Sequence, residues 1–451
     1  MSITITAIIP VYNVEKYIEE CLDSVLGQSV PFDEIIIIND GSTDKSGNII
    51  EYMCNNHSEV KYIVQANQGQ AVARNVGIKM ATSDYIVFID SDDYVSHDMA
   101  YILKKRLCNQ EVLLYSADII KNMDISTDGS VYVRDEEICG KQMSGWEFFK
   151  RTYGKKWTVS TCLAAYSTKF LIKNEISFPD GLFYEDNLFF IRVLNCANVL
   201  EVINNRLYIR RYRPDSTTTS VQDERKKIDL IKIYDMVFNY LKDIYNMSIA
   251  KETIIKYVCC FGMWQIKDNF DDSSKKVSMC LVQLCKTIIA FIFENQSNLS
   301  LSELLVCAYA SGYLKKMNIL NERDAAQYTD LLIRKITQIL SPIHFSQSHE
   351  KIGIYGVGKH TKAMLYFYNK YVGDIKAEIS YIVSSAVDNK NYTPLIMVDN
   401  VTNELSQIVI SSRVYQEQME QNLKSVNYNN SIIKIYDDNE FFDISEIQEL
   451  L

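Results

Sequence analysis

YIVFIDSDD, Tyr85 to Asp93, is the stretch on which the reading of this chain turns. Its first five residues are β-branched, aromatic or otherwise apolar with no polar alternate, the pattern of a strand buried on both faces. The run then breaks into Asp90, Ser91, Asp92 and Asp93. At a strand end, alternate residues can turn two carboxylates toward one point, and hard oxygen donors of that kind suit Mg²⁺ or Mn²⁺ held jointly with substrate phosphates. Acidic turns are common and most are only solvated, or supply a helix cap such as Ser91 or Asp93. Its place raises this one above that background. In an open parallel sheet the ligand crevice lies outside the carboxyl ends of the strands, where the strand order reverses.

Outward from that strand, Thr4–Pro10 and Glu34–Asn39 are also short, β-branched and apolar on both faces, and Val14–Leu26 repeats its apolar positions at helical spacing. A strand at Tyr62–Gln65 and a helix at Ala71–Met80 complete a βαβαβαβ half-fold with a parallel sheet. Its other strand ends are polar too: Pro10, Val11, Tyr12 and Asn13 follow the first strand, and Asn39 to Asp44 follow the second. Ser144–Arg213 is irregular and aromatic, Gln222–Leu340 is helical, and Ser341, Pro342 and Ser346–Glu350 read as a linker. Strand-then-helix patterning restarts at Lys351–Tyr355, with further apolar runs at Glu378–Val383 and Gln407–Ser411. The expected class is α/β, with a nucleotide-binding domain over 1–220, a helical region over 221–345 and a small α/β domain over 346–451.

The 451 residues, 47% hydrophobic and 23% charged, describe a globular chain with ample core and exclude a disordered or fibrous one. Lys plus Arg number 47 against 57 Asp plus Glu, so the net charge of −10 argues against a general nucleic-acid-binding surface. An anionic ligand must be met by a local site. The opening residues lack the basic start and long apolar run of an export signal, and Val277–Phe293, interrupted by Gln283 and Lys286, reads as an amphipathic buried helix. No membrane span and a cytoplasmic location are expected. Eleven cysteines without paired metal-ligand spacing read as reduced thiols.

Four segments, PVYN at Pro10–Asn13, NDGSTD at Asn39–Asp44, NQGQAVARNVG at Asn67–Gly77 and FIDSDD at Phe88–Asp93, together resemble the inverting glycosyltransferases of family 2, which have the GT-A fold. The resemblance covers about residues 1–215. It implies a metal-dependent transferase moving a sugar from a UDP-sugar to a hydroxyl of a glycan or lipid-linked acceptor, of the kind used in bacterial surface polysaccharides. By the same resemblance Asp40 is the acid that meets the uracil ring, a charge-assisted hydrogen bond that selects the base. Pro10, Tyr12 and Asn13 line the nucleotide pocket, with Asp44 assisting. Gly69, Arg74 and Asn75 lie over the ribose and diphosphate, with Arg74 able to meet phosphate bidentately. Asp92 is the direct metal ligand, and Asp90 contacts ribose or metal with Ser91 beside it. An Asp-Gly turn followed by a helix cap would account for Gly41 and Ser42 without any ligand.

Single displacement needs a base to take the acceptor's proton. FYEDNLFF at Phe183–Phe190 resembles the family's acidic motif, making Asp186 the base and Glu185 its neighbour or orienter. An ED pair opening an amphipathic helix is otherwise an ordinary first-turn carboxylate. Aromatic neighbours would raise its pKa by limiting hydration. Trp146, Tyr153 and Trp157 read equally as sugar-stacking groups or as core. Arg206, Arg210, Arg211 and Arg213, followed by Thr217–Ser220, resemble the family's closing segment over the diphosphate; a solvated run on a strand edge and a contact with anionic lipid head groups are the other readings. The QxxRW motif of membrane polysaccharide polymerases is absent.

GIYGVGKHTKAML at Gly353–Leu365 follows a strand and opens a helix, so Gly356 and Gly358 allow close approach of an anion. Thr361 replaces the third glycine of a dinucleotide fingerprint, and Ser384 and Ser385 stand where a ribose-grasping acid is wanted, which argues against a nicotinamide enzyme. The module looks like the small Rossmann-like domains appended to bacterial sugar-modifying enzymes, and its expected roles are packing or homo-oligomerisation, then phosphate-ligand binding with His360 in reach. A non-catalytic nucleotide-sugar scaffold and a nucleotide-sugar oxidoreductase are the competing functions.

Overall fold

The computed structural model describes residues 2–55, 57–121, 124–126, 132–152, 158–212, 223–245, 251–295, 299–356, 359–383, 395–397, 400–411 and 416–436. The chain divides into two compact units, Met1–Val237 and Phe238–Leu451. In the first, the elements in chain order are β1 (Ile5–Val11), α1 (Ile18–Leu26), β2 (Glu34–Asn39), α2 (Ser46–Cys54), β3 (Val60–Val64), α3 (Gln70–Met80), β4 (Tyr85–Phe88), β5 (Tyr94–Val95), α4 (Met99–Arg106), β6 (Val112–Lys121), β7 (Asp124–Ser126), β8 (Gln142–Met143), α5 (Gly145–Thr152), β9 (Ala164–Ser167), α6 (Thr168–Lys173), α7 (Asp186–Cys196), β10 (Leu200–Tyr212) and the start of α8 (Glu224–Tyr245).

The ten strands form one sheet with a main path β3-β2-β1-β4-β9-β6-β10-β5. Strands β1, β2 and β4 are buried along their whole length, which is why their sequences carry no polar alternate. Strand β1 pairs in parallel with β2 and β4, and β2 in parallel with β3, whereas β9 runs antiparallel between β4 and β6. The order therefore reverses at β1 and β4, and the crevice outside their carboxyl ends is the place such a sheet reserves for a ligand. Helix α3 packs on this half of the sheet so closely that a Cβ at Gly77 would lie 2.4 Å from Ile8 Cγ2.

Two expectations need correction. The first helix starts at Ile18, not Val14, because the amides of Val14 and Glu15 are taken by Ser46 Oγ at 3.0 Å and Asp44 Oδ2 at 3.0 Å and the chain turns there instead. The basic run is not irregular chain either: Arg206, Arg210 and Arg211 belong to the 13-residue β10 and pair in parallel with β6, while β5 and β8 meet β10 at Tyr208–Ile209 and Leu200–Glu201.

In the second unit come α9 (Lys251–Asn269), α10 (Lys275–Asn295), α11 (Leu301–Lys316) and α12 (Glu322–Leu340), then β11 (Lys351–Tyr355), α13 (Lys359–Tyr371), β12 (Glu378–Val383), β13 (Leu395–Met397), β14 (Gln407–Ile410), α14 (Gln416–Ser425) and β15 (Ser431–Lys434). Ser300 caps α11 in a reciprocal box with Glu303. Among the described residues one segment, Lys275–Phe293, is long and apolar enough to cross a membrane by length and composition, and half of it is buried. Its buried residues Val277, Leu281, Leu284, Ile288, Phe291 and Ile292 fall on one helical face, the pattern of a core helix. Strands β11–β15 make a separate all-parallel sheet in the order β13-β12-β11-β14-β15. All eleven cysteines are free.

Candidate active site

At the carboxyl ends of β1, β2 and β4 opens a cavity of about 770 Å³, a volume suited to a nucleotide-sized ligand. Pro10, Tyr12, Asp40, Gly69, Arg74, Asp90, Ser91, Asp92, Glu185, Asp186 and Arg211 all line it, so residues from six separate stretches of sequence meet in one place.

At one end Asp40 directly follows β2 and is buried. Its carboxylate accepts from Gln65 Nε2 at 2.7 Å, from the amide of Gln68 at 2.9 Å and from the amide of Gly69 at 2.7 Å. The acid thus fixes the loop that leads into α3, and Gly69, at φ 93, supplies the backbone conformation that the loop needs. Asn13 and Asp44 are not on the cavity wall. Asn13, in the left-handed region at φ 51, accepts from the Thr43 amide at 2.8 Å through its Oδ1, while Asp44 accepts from the amides of Glu15 and Ser46 at 3.0 and 2.9 Å. Both join the β1 turn to the β2 turn and leave Tyr12 half-exposed on the wall.

At the centre, Asp90 Oδ1 accepts from Arg74 Nη2 at 2.7 Å and from Gln70 Nε2 at 2.9 Å. Asp93 lies behind the turn, buried, accepting from the Tyr208 hydroxyl at 2.8 Å and from the Arg211 amide at 2.7 Å; Tyr208 in turn accepts from the Asp90 amide at 3.0 Å. Desolvation, then the charges of Asp92 and Asp90, push the Asp93 carboxyl well above the usual carboxylate range. Arg211 donates through Nε to the Asp92 carbonyl at 3.0 Å, and its Nη2 pairs with Glu20. So β10, read from sequence only as a basic cluster, holds the acidic turn from behind.

Among the described residues no three His, Cys, Asp or Glu side chains converge as a ready metal cage. Both Asp90 hydrogen bonds fall on Oδ1, leaving Oδ2 for a cation, and Asp92 stands beside it on the wall. Two carboxylates without a third protein ligand fit an ion that completes its shell with phosphate oxygens.

At the far side, Tyr184 takes a left-handed backbone at φ 64, a conformation that costs free energy in a non-glycine residue, and the chain then enters α7 at Asp186. Desolvation, then the charge of Glu185, push the Asp186 carboxyl up to about 7, against the opposing pull of Arg74 and Arg210. Glu185 accepts from Arg74 Nη1 at 2.7 Å. Arg74, expected over phosphate, is buried with both terminal nitrogens bonded to carboxylates, and Asn75, off the wall, bonds the Phe178 backbone at 2.9 Å through its Oδ1 and its Nδ2.

Of the remaining groups, Arg210 lines the cavity and donates to the Tyr132 hydroxyl at 3.0 Å, whereas Arg206 pairs with Asp118 at 2.6 Å; Arg213 and Thr217–Ser220 lie outside the described residues. Trp146 is buried edge-on to Phe149 and donates to Asn195 at 3.3 Å, a core role; Tyr153 and Trp157 are outside the described residues. In the second sheet, Gly356 at φ 108 follows β11, and Thr361 Oγ1 bonds both the Gly356 carbonyl at 3.0 Å and Ser411 Oγ at 2.8 Å. His360 Nδ1 lies 3.1 Å from the Tyr436 hydroxyl; Gly358, Ser384 and Ser385 are outside the described residues.

The mostly parallel sheet with its crevice at the carboxyl ends of β1, β2 and β4 is the architecture of the GT-A class of α/β proteins. The family model described as glycosyl transferase family 2 matches residues 6–175. The chain is 32% identical over 261 residues to glycosyltransferase GlyG of Streptococcus pneumoniae, covering 55% of this chain and 82% of that protein. It is 30% identical over 262 residues to the uncharacterized glycosyltransferase EpsJ of Bacillus subtilis, covering 56% and 74%. The chain belongs to glycosyl transferase family 2. In fold it is similar to S. aureus TarS 1-349, whose crystal structure is in complex with UDP-GlcNAc, with a TM-score of 0.53 and 22% identity, covering 69% of this chain and 88% of that one.

Proposed function

We propose that this transferase moves a sugar, with inversion, from a UDP-sugar to a hydroxyl of a glycan or lipid-linked saccharide of the bacterial cell surface. The observation that carries this reading is that Asp186, with a carboxyl pushed up to about 7, lines the same cavity as the Asp90–Asp92 turn. A uridine diphosphate is the donor that Asp40 would select, its carboxylate accepting from the imide N–H at the nucleotide end, and the UDP-GlcNAc complex of the structurally similar TarS supports that choice. Asp90 and Asp92 would hold Mg²⁺ or Mn²⁺, which when bound neutralises the charge developing on the departing diphosphate.

Asp186 accepts the proton of the acceptor hydroxyl as its oxygen attacks the anomeric carbon; the bond from that carbon to the diphosphate oxygen breaks, and UDP leaves with the electron pair. A carboxyl titrating near 7 matches this task, being ionised often enough to act and basic enough to take the proton. Glu185 is occupied by its 2.7 Å pairing with Arg74, so Asp186 is the carboxylate left to take the proton. Arg210 and Arg211 bring positive charge to the cavity wall beside the diphosphate position.

The test is release of UDP from a panel of UDP-sugars with and without Mn²⁺, against saccharide acceptors carrying free hydroxyls. Release that depends on donor, metal and acceptor together upholds the proposal, and turnover of ADP- or GDP-sugars in preference to UDP-sugars overturns the donor assignment. We further propose that the enzyme works at the cytoplasmic side, in peripheral contact with the membrane that presents a lipid-linked acceptor, and that the C-terminal α/β domain over 346–451 serves self-association. Sedimentation of the full chain and of a chain ending before β11 tests the last point.

A further inference from the structure

We propose that Arg74 and Asn75 are positioning residues, a strut on α3 that sets the distance between the leaving-group turn at Asp90 and the base at Asp186. Helix α3 is seated on β1 through Gly77, so it is a fixed reference for both sides of the cavity. From it Arg74 reaches in two directions, Nη2 to Asp90 Oδ1 and Nη1 to Glu185 Oε1, each at 2.7 Å, joining motifs that lie at opposite ends of the catalytic sequence. Its guanidinium also covers the Phe178 ring at 5.2 Å. Asn75 accepts from the Phe178 amide and donates to the Phe178 carbonyl, both at 2.9 Å, and donates to Asp180 at 3.2 Å. Phe178 then stacks on Phe189 of α7 with centroids 4.0 Å apart and rings 3° from parallel. Two adjacent residues thereby hold the loop before α7 by its acid, by its backbone and by the ring beneath the helix that begins at Asp186.

Stability does not explain the arrangement. A buried ion triad is a poor stabiliser compared with apolar packing of the same volume. Arg74 also keeps a buried Nε with no hydrogen-bond partner, a cost with no structural return. A group tolerated at such a cost between the two halves of a reaction centre serves their geometry. The kinetic part of this inference rests on the function proposed above; the structural part does not.

The experiment compares Arg74→Met, Arg74→Lys and Asn75→Asp with the wild type by amide hydrogen exchange, UDP binding and donor-saturated kinetics on the full chain. In Arg74→Met and Asn75→Asp, exchange across residues 178–190 should rise about tenfold or more while β1 and β2 keep their protection. UDP affinity should stay within about threefold, and kcat should fall about 100-fold, as a displacement of about 1 Å would cause. Arg74→Lys should recover only part of kcat, since one ammonium cannot fork to both acids. Should Arg74→Met fail to fold, Asn75→Asp, which keeps the acceptor for the Phe178 amide, carries the same test. Unchanged exchange over 178–190 overturns the strut, and unchanged exchange with a tenfold loss of UDP affinity makes Arg74 a diphosphate contact instead. If the wild type turns over no UDP-sugar, the functional reading fails, and the exchange result alone upholds or overturns the strut.

Discussion

Replacing Asp186 with asparagine separates the chemistry of the base from the cost of keeping it. The wild-type carboxyl titrates near 7, so it is ionised in roughly a tenth of molecules at pH 6 and in roughly nine-tenths at pH 8. Donor-saturated kcat should therefore rise about tenfold between those values and level off above. Asp186→Asn should lose about 100- to 10,000-fold in kcat, the usual worth of a positioned base, and should lose the pH dependence with it, while its affinity for UDP changes little. Stability should move the other way. Because the folded value lies above the ordinary value of about 4, the native state binds more protons than the unfolded chain between about 4 and 7, so this group's ionisation removes stability as pH rises through that window. The full difference of about three pH units sets a ceiling of about 4 kcal/mol, which solvent reaching the half-buried group lowers. The asparagine variant should thus match the wild type near pH 4 and melt a few degrees higher at pH 8. Calorimetric scans and an acceptor-dependent UDP-release assay measure both effects. An Asp186→Asn enzyme that transfers within threefold of wild type, with an unaltered pH profile, would refute the base assignment.

Asp92→Ala should bind UDP equally with Mn²⁺ and with a chelator present, whereas wild type should bind more tightly with the ion; a metal effect that survives in the variant by calorimetry places the ion elsewhere. Asp40→Ala removes an acceptor from two loop amides and Gln65, so it should lose about 2–4 kcal/mol of stability in denaturant unfolding and most of its preference for UDP over ADP. A retained preference in equilibrium binding would assign Asp40 to the loop alone. Gly77→Ala should cost about 1–3 kcal/mol, since its Cβ would meet Ile8 at 2.4 Å and lift α3 from β1; a neutral melting temperature contradicts the close seating.

Strands buried on both faces were legible almost to the residue. β2 and β11 run over Glu34–Asn39 and Lys351–Tyr355, where the apolar runs place them, because two-sided burial leaves little room for polar residues. β10 was not legible as a strand: its Asn204, Asn205, Arg206, Arg210 and Arg211 break the apolar pattern, and its pairing partners lie far away in sequence. The same distinction runs through the site. Asp40, Asp90, Asp92 and Asp186 sit at element ends that short-range pattern identifies, and the structure gathers them in one cavity. Asn13, Asp44 and Asn75 carry the same residue chemistry but spend it on backbone amides and carbonyls about 30 to 100 residues away, which spacing alone does not reveal. Asp93 was read only as a helix cap and Tyr208 was overlooked for that reason too, since a buried acid behind the turn needs a hydroxyl from another strand to be explained.

β10 changes register against β6 twice, between Val202 and Arg206 and again between Arg206 and Tyr208. These irregularities lie several residues from any position that a substrate would touch, yet they fix which side of the ribbon each downstream side chain faces. A single-residue insertion or deletion between 203 and 207 would shift the register of Arg210 and Arg211 against β6 and uncouple Asp93 from its amide donor, without changing any acid of the site. Relatives differing in length across that short interval would therefore be expected to differ in the wall that this strand presents to the cavity, even with every acid of the site in common.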